Sequence, residues 1–250
     1  MKYLLSIILL LTTSNIIFGQ FPKPLSPPRL YNNFSTLKIL NATEETEIEA
    51  ILVKFEAETS NEIAVIVIDD LNDLEPWEYA TEIGEEWGVG KAEEDNGIVL
   101  LIKPTEKKSR REVFISVGRG LESVIPDLTC YEIVQNELRP NFKNQAYFEG
   151  IKQAVKVLSE LSKGEYSHNK YSKKNKKRNF LSGIFSVLFI LILVILLIKR
   201  GGGGTTIVAA GFIGGFGRGF GGGFGGGSSG GGFGGFGGGS FGGGGSGGSW

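Results

Sequence analysis

Glycine sets the first limit on what this 250-residue chain can build. In the last fifty residues 29 positions are glycine, interrupted by seven phenylalanines (Phe212, Phe216, Phe220, Phe224, Phe233, Phe236 and Phe241) and closed by Ser249-Trp250. So few side chains bring little apolar surface to offset the large backbone entropy that glycine loses on ordering. Residues 199–250 are therefore expected to form a disordered Gly/Phe/Ser-rich tail, with the rings as isolated adhesive points. A core has to come from elsewhere in the chain.

Two apolar stretches frame the part that can supply it. Residues 1–19, "MKYLLSIILLLTTSNIIFG", carry one lysine, a short apolar run and a small residue at Gly19, which predicts a signal peptide removed ahead of Gln20. Residues 180–198, "FLSGIFSVLFILILVILLI", run 19 positions without a charge, close to what the hydrocarbon core of a bilayer asks of a helix. A transmembrane helix is expected there, behind a basic linker over 166–179 that holds Lys170, Lys173, Lys174, Lys176, Lys177 and Arg178. Charge alone would keep that linker in the cytoplasm, but a long domain behind an export signal crosses largely regardless of charge. The expected protein is single-pass in the cell inner membrane, with its globular domain on the periplasmic side.

Residues 20–165 carry 27 acidic and 16 basic residues, a net charge of −11, although the whole chain sums to −1. Such a surface disfavours nucleic acid and favours cations or basic partner surfaces, such as those of a membrane or periplasmic protein. Cys130 is the sole cysteine and His168 the sole histidine, which excludes an internal disulfide and a zinc site of Cys and His ligands. Any bound metal would be held by oxygen: calcium, magnesium or manganese.

Within this part, residues 20–40 form a Pro-rich extended lead-in, and the folded domain is expected over 41–165. Asn41 with Glu44 makes a capping-box start, Ile48, Ile51, Leu52 and Phe55 mark one helical face, and Thr59-Ser60-Asn61 ends the helix. "EIAVIVI" (62–68) is apolar on both faces, as in a central strand covered on both sides. Pro76 opens a second helix through Trp87, stopped by Gly88 and Gly90. "GIVLLI" (97–102) and "EVFISV" (112–117) read as a hairpin. A helix follows over 127–138, ended by Pro140, and an amphipathic one over 147–161. The order α-β-α-β-β-α-α predicts an α/β fold, a three-layer α/β/α sandwich on a mixed central sheet.

Antiparallel hairpin strands put the start of the first and the end of the second at one edge of the sheet. The "EEDNG" turn therefore meets the "VGRGLESVIPD" loop, which gathers Asp95, Asn96, Glu122 and Asp127 with glycines at 97, 118 and 120. Oxygen donors on tight backbone make a candidate hard-cation site, for calcium or magnesium. A solvated turn, with Asp127 capping a helix, is the plainer account of the same residues. Asp69 and Asp70, closing the first central strand, form a second and weaker candidate at the opposite edge.

The runs "YNNFSTL", "SNEIAVIVIDDL", "WGVGKAEEDNGIVLLI", "EVFISVGRGLESVIPD" and "RPNFKNQAYFEGI", in that order, resemble the TPM-domain family over residues 30–161. With the signal peptide, membrane helix and tail ending in Trp, the arrangement is similar to the YgcG-type bacterial membrane proteins of that family. The resemblance implies an α/β/α sandwich and, in several members, divalent-cation binding at the loop carboxylates just named. Many members have Asp in the lead-in where this chain has Asn33, which would remove one charge. The family also carries a phosphatase label, but Cys130 lacks the Arg of a Cys-based phosphate loop, position 136 being Asn, and Asp69-Asp70 lacks an aspartyl-phosphate signature. The expectation is a membrane-anchored, cation-binding domain that acts through protein contact. A metal-assisted phosphatase, with Arg119 near the ion, is the alternative.

Overall fold

The structure, a computed structural model, describes residues 21–105, 110–163, 188–192 and 233–250. The elements in chain order are β1 (Tyr31–Asn33), α1 (Ala42–Thr59), β2 (Glu62–Val67), α2 (Pro76–Trp87), β3 (Gly97–Lys103), β4 (Glu112–Gly118), α3 (Asp127–Ile133), α4 (Arg139–Lys143), α5 (Tyr147–Ser162) and β5 (Phe241–Ser249). The strands form one mixed sheet in the order β1-β2-β3-β4-β5. β1, β2 and β3 run parallel, and β4 and β5 add antiparallel.

Local chemistry sets the helix ends. The Asn41 side chain accepts from the N–H groups of Thr43 and Glu44, while Glu44 reaches back to the Asn41 N–H. Ser60, in the left-handed region, closes α1. Pro76 sits in the first turn of α2, where its missing N–H costs nothing. β2 and β3 are buried throughout, as a doubly covered strand requires. On one face Tyr79, Ala80, Ile83 and Trp87 of α2 pack on Ala64, Ile66, Val99 and Leu101. The alternate residues Ile63, Val65, Val67, Leu100 and Ile102 are fully buried too, with α1 against β2 and α5 against α1.

Three expectations change. The lead-in contains a strand: β1 pairs with β2, and Glu49 of α1 accepts the N–H groups of Leu30 and Tyr31 at 3.0 and 2.8 Å. Pro140 does not end the helix begun at Asp127. A π turn over Val134–Leu138 shifts the hydrogen-bond register, Pro140 falls in the first turn of α4, and the helical course runs on to Lys143. The expected disorder of the tail does not hold at its end, because residues 233–250 lie on the sheet and Phe241–Ser249 completes it. Glycine lacks surface to build its own core, but a strand added to an existing edge borrows one.

Residues 188–192 are helical. The rest of the apolar stretch 180–198, the signal peptide 1–19, the linker 166–179 and residues 199–232 lie outside the described residues. Among the described residues no helix is long and apolar enough to cross a membrane.

Candidate functional site

The hairpin register places Ile98 opposite Val117, so the turn before β3 and the loop after β4 meet at one edge. They touch through backbone. Gly120 N–H donates to Asp95 O at 3.0 Å, and a Cβ on Gly118 or Gly120 would overlap the carbonyl oxygens of Asp95 and Glu94. Asp95 takes up the turn at φ 45°, with its N–H on Lys91 O at 2.8 Å. Asn96 is buried and engaged inside the domain. Its Oδ1 accepts Lys91 N–H at 2.9 Å, and its Nδ2 donates to Ser60 O and Glu94 Oε2, each at 2.7 Å.

The other three candidates share a neighbour that sequence reasoning did not provide. Asp95 Oδ1 accepts the Ser240 N–H at 2.8 Å, and Asp127 Oδ1 accepts the Gly245 N–H at 2.7 Å. Glu122 Oε1 stands 2.7 Å from where a Cβ on Gly242 would be. A Cβ on Gly244 would lie 3.1 Å from Glu122 Oε1 and 3.4 Å from Asp127 Oδ1. All three carboxylates thus fall along Ser240–Gly245, where β5 departs from β4: Ser116 faces Gly245 but Gly118 faces Phe241, so the tail bulges over the acids. The Asp95 carboxyl is held below its usual range by the Ser240 N–H first and the Ser240 hydroxyl next, with the charge of Arg119 adding to them. Backbone N–H groups on carboxylates are charge-assisted donors.

Carboxylate oxygens suit calcium or magnesium by donor type. Yet among the described residues no group of three or more His, Cys, Asp or Glu side chains is arranged to hold a metal ion. With β5 in place the acids are spread along a strand instead of pooled around a point.

The second candidate pair has structural partners. Asp69 accepts the Ser35 hydroxyl at 2.5 Å and the Thr36 N–H at 3.0 Å, and Asp70 accepts the Asn72 N–H at 3.1 Å. Asn33 pairs with Val67 at that same end of the sheet, whereas Gly97, next to Asp95 and Asn96, pairs with Glu62 at the other. A charge at position 33 would therefore not reach the Asp95 cluster. Cys130 is fully buried, and desolvation pushes its thiol up to about 12, which suits packing and not nucleophilic attack.

Several residues that matter here were not singled out from the sequence. Gly84, in the middle of α2, makes room for the Phe241 ring, since a Cβ there would stand 2.7 Å from Phe241 Cε2. Glycine inside a helix of good helix formers was the available signal. Phe236 packs 5.5 Å from Trp87, and Trp250 lies 5.0 Å from Phe142 and 6.3 Å from Tyr147, with the Arg111 guanidinium 5.9 Å over its ring. Buried Glu62 accepts the Gly90 N–H at 2.8 Å and so holds the Trp-Gly-x-Gly loop to the sheet.

Fold and edge together define an α/β domain on a mixed sheet, with an acidic loop edge along its last strand. The chain belongs to the TPM domain family, whose model matches residues 35–161. Similar solved structures include the N-terminal domain of a protein from P. gingivalis, 24% identical with a TM-score of 0.47, covering 56% of this chain and 87% of that one. The BA42 protein of Bizionia argentinensis is 17% identical with a TM-score of 0.45, covering 54% and 91%. The N-terminal domain of the cg2496 protein of Corynebacterium glutamicum is 11% identical with a TM-score of 0.42, covering 57% and 86%. None of the curated proteins compared matches the chain.

Proposed function

We propose that this TPM domain is a YgcG-type, membrane-anchored extracytoplasmic module that works by binding, with its acidic edge as the surface that meets a membrane or periplasmic protein. The observation that carries this reading is the placement of Asp95, Glu122 and Asp127 along one peptide segment. Among the described residues none of the three is in an ion pair, and two of them are engaged by backbone N–H groups. Next to them Val124, Leu128 and Tyr131 are 39%, 55% and 49% exposed, an apolar margin of the kind contact surfaces use.

The cation belongs to a second state of the same edge. Ser240–Gly245 and a calcium or magnesium ion call on the same oxygens, so the ion binds when the segment has left. Relief of repulsion among three carboxylates is the driving term. Calorimetric titration of calcium, then magnesium, into the detergent-solubilised chain ending at Gly232 tests this beside the same chain carrying Asp95→Asn and Asp127→Asn. Heat of binding in the first and none in the second is expected. A truncated chain that takes up neither ion would remove the cation from the proposal.

A further inference from the structure

The β4 edge recognises one particular kind of strand, and the fit is built on both sides. β5 pairs along the whole of β4, from Glu112 opposite Ser249 to Gly118 opposite Phe241. Contact requires glycine at two of its positions and at one just ahead of it. A Cβ at Gly245 would overlap the Ile115 carbonyl oxygen, where φ is also 139°. One at Gly247 would stand 2.6 Å from the Phe114 ring, and one at Gly239 2.5 Å from Val89 O. The anchors sit at the two ends: Phe241, only 2% exposed, enters the space left by Gly84, and Trp250 packs edge-on against Phe142 and Tyr147 with the Arg111 guanidinium over its ring. The domain answers with polar groups matched to the strand's backbone, Asp95 and Asp127 taking the N–H groups of Ser240 and Gly245.

The same composition makes the strand detachable. Six of the nine residues in Phe241–Ser249 are glycine, which lose the most backbone freedom on ordering and contribute no side chain. β2 and β3, by contrast, bury every residue. A strand held by ladder hydrogen bonds, two carboxylates and a few rings, with Phe241 reaching into the core cluster, is attached to the sheet as a ligand is.

We infer that the β4 edge is a strand-addition site for an extended glycine-rich peptide with a phenylalanine at one end and a tryptophan at the other, and that the chain's own residues 233–250 occupy it in cis. This rests on the protein-contact reading above and names the chemistry of the contact: whatever replaces the tail must offer small residues along β4 and rings at the two ends. Pairing in cis requires residues 233–250 and the domain to share one compartment.

Directly opposed positions across β4 and β5 give the test. The full chain carrying Glu112→Cys and Ser249→Cys is expressed with its export signal, its thiols are blocked before lysis, and disulfides are mapped by mass spectrometry. An intramolecular 112–249 disulfide is expected, at least tenfold above that of a Glu112→Cys, Gly234→Cys control, and lost again when Gly245→Val is added. A 112–249 link between two chains would overturn the cis assignment in favour of exchange between copies. No link above the control would overturn the proposal, since a tail left in the reducing cytoplasm, or free of β4, cannot form it. Deuterium exchange on the otherwise unmodified chain guards against a misfolded double variant: residues 112–118 should exchange at least tenfold faster in Gly245→Val than in wild type, and equal rates would also overturn the proposal. Neither readout depends on a cation, so failure here leaves the calcium titration to be decided by its own result.

Discussion

Asp95 and Gly84 show how single residues on the domain are shaped to residues more than a hundred positions away. Asp95 is pulled below its ordinary range by a backbone N–H of Ser240, and Gly84 leaves the space that the Phe241 ring fills. Gly84→Ala should favour α2 itself by up to about 1 kcal/mol while displacing Phe241. The expected result is faster deuterium exchange over 241–249, about tenfold, with β2 and β3 unchanged. If 241–249 keep their protection, the ring does not depend on that space. Glu62 makes a pH prediction. Burial raises its carboxyl above the ordinary 4.5, against the lowering effect of the Gly90 N–H. The native state then holds a proton that the unfolded chain has released, so this residue's contribution to stability falls as pH rises from about 4.5 upward. Glu62→Gln can keep the Gly90 bond without the charge. Denaturant unfolding should find the variant more stable than wild type at pH 7, with the gap closing toward pH 4. A constant gap across that range would separate Glu62 from the pH dependence.

Elements differ in how much of their stability is local. α1 has both halves of a capping box, so Asn41→Ala should cost about 1 kcal/mol and lower Tm by about 3 °C. An unchanged Tm would mean that packing on β2 alone holds the helix start. The α3–α4 course is the contrary case, since its passage through Pro140 depends on a π turn that no local signal announces. β5 stands furthest from local control. Nothing in Phe241–Ser249 favours a strand in isolation, and it becomes one because β4 offers unpaired backbone groups and a surface that only glycine can approach.

For the whole molecule, β5 closes a sheet that would otherwise end on a seven-residue edge, with Val113, Ile115 and Val117 buried beneath it. Bare edges of that length pair with other chains. A detergent-solubilised chain ending at Gly232 should therefore associate with itself as concentration rises, while the full chain should not. Sedimentation velocity reads the difference, and matching profiles would mean that another feature protects the edge. The tail thus has two consequences at once, masking an aggregation-prone edge and occupying the carboxylates proposed for a cation.

The central strands, α1 with its cap, the hairpin and the meeting of the Asp95 turn with the Glu122–Asp127 loop were all legible in the sequence. Each rests on short-range chemistry: apolar runs, capping side chains, turn residues and the fixed antiparallel geometry of a hairpin. The part taken by Asn96, the structural engagement of Asp69 and Asp70, the remoteness of Asn33 and the place of Gly84 were not legible, because each depends on which atoms a distant segment brings near. The segment 233–250 makes the division plainest. Its composition determined that it could not fold by itself. That it folds on β4 was decided by tertiary structure alone, because glycine carries no pattern of its own and takes its conformation from the edge it meets.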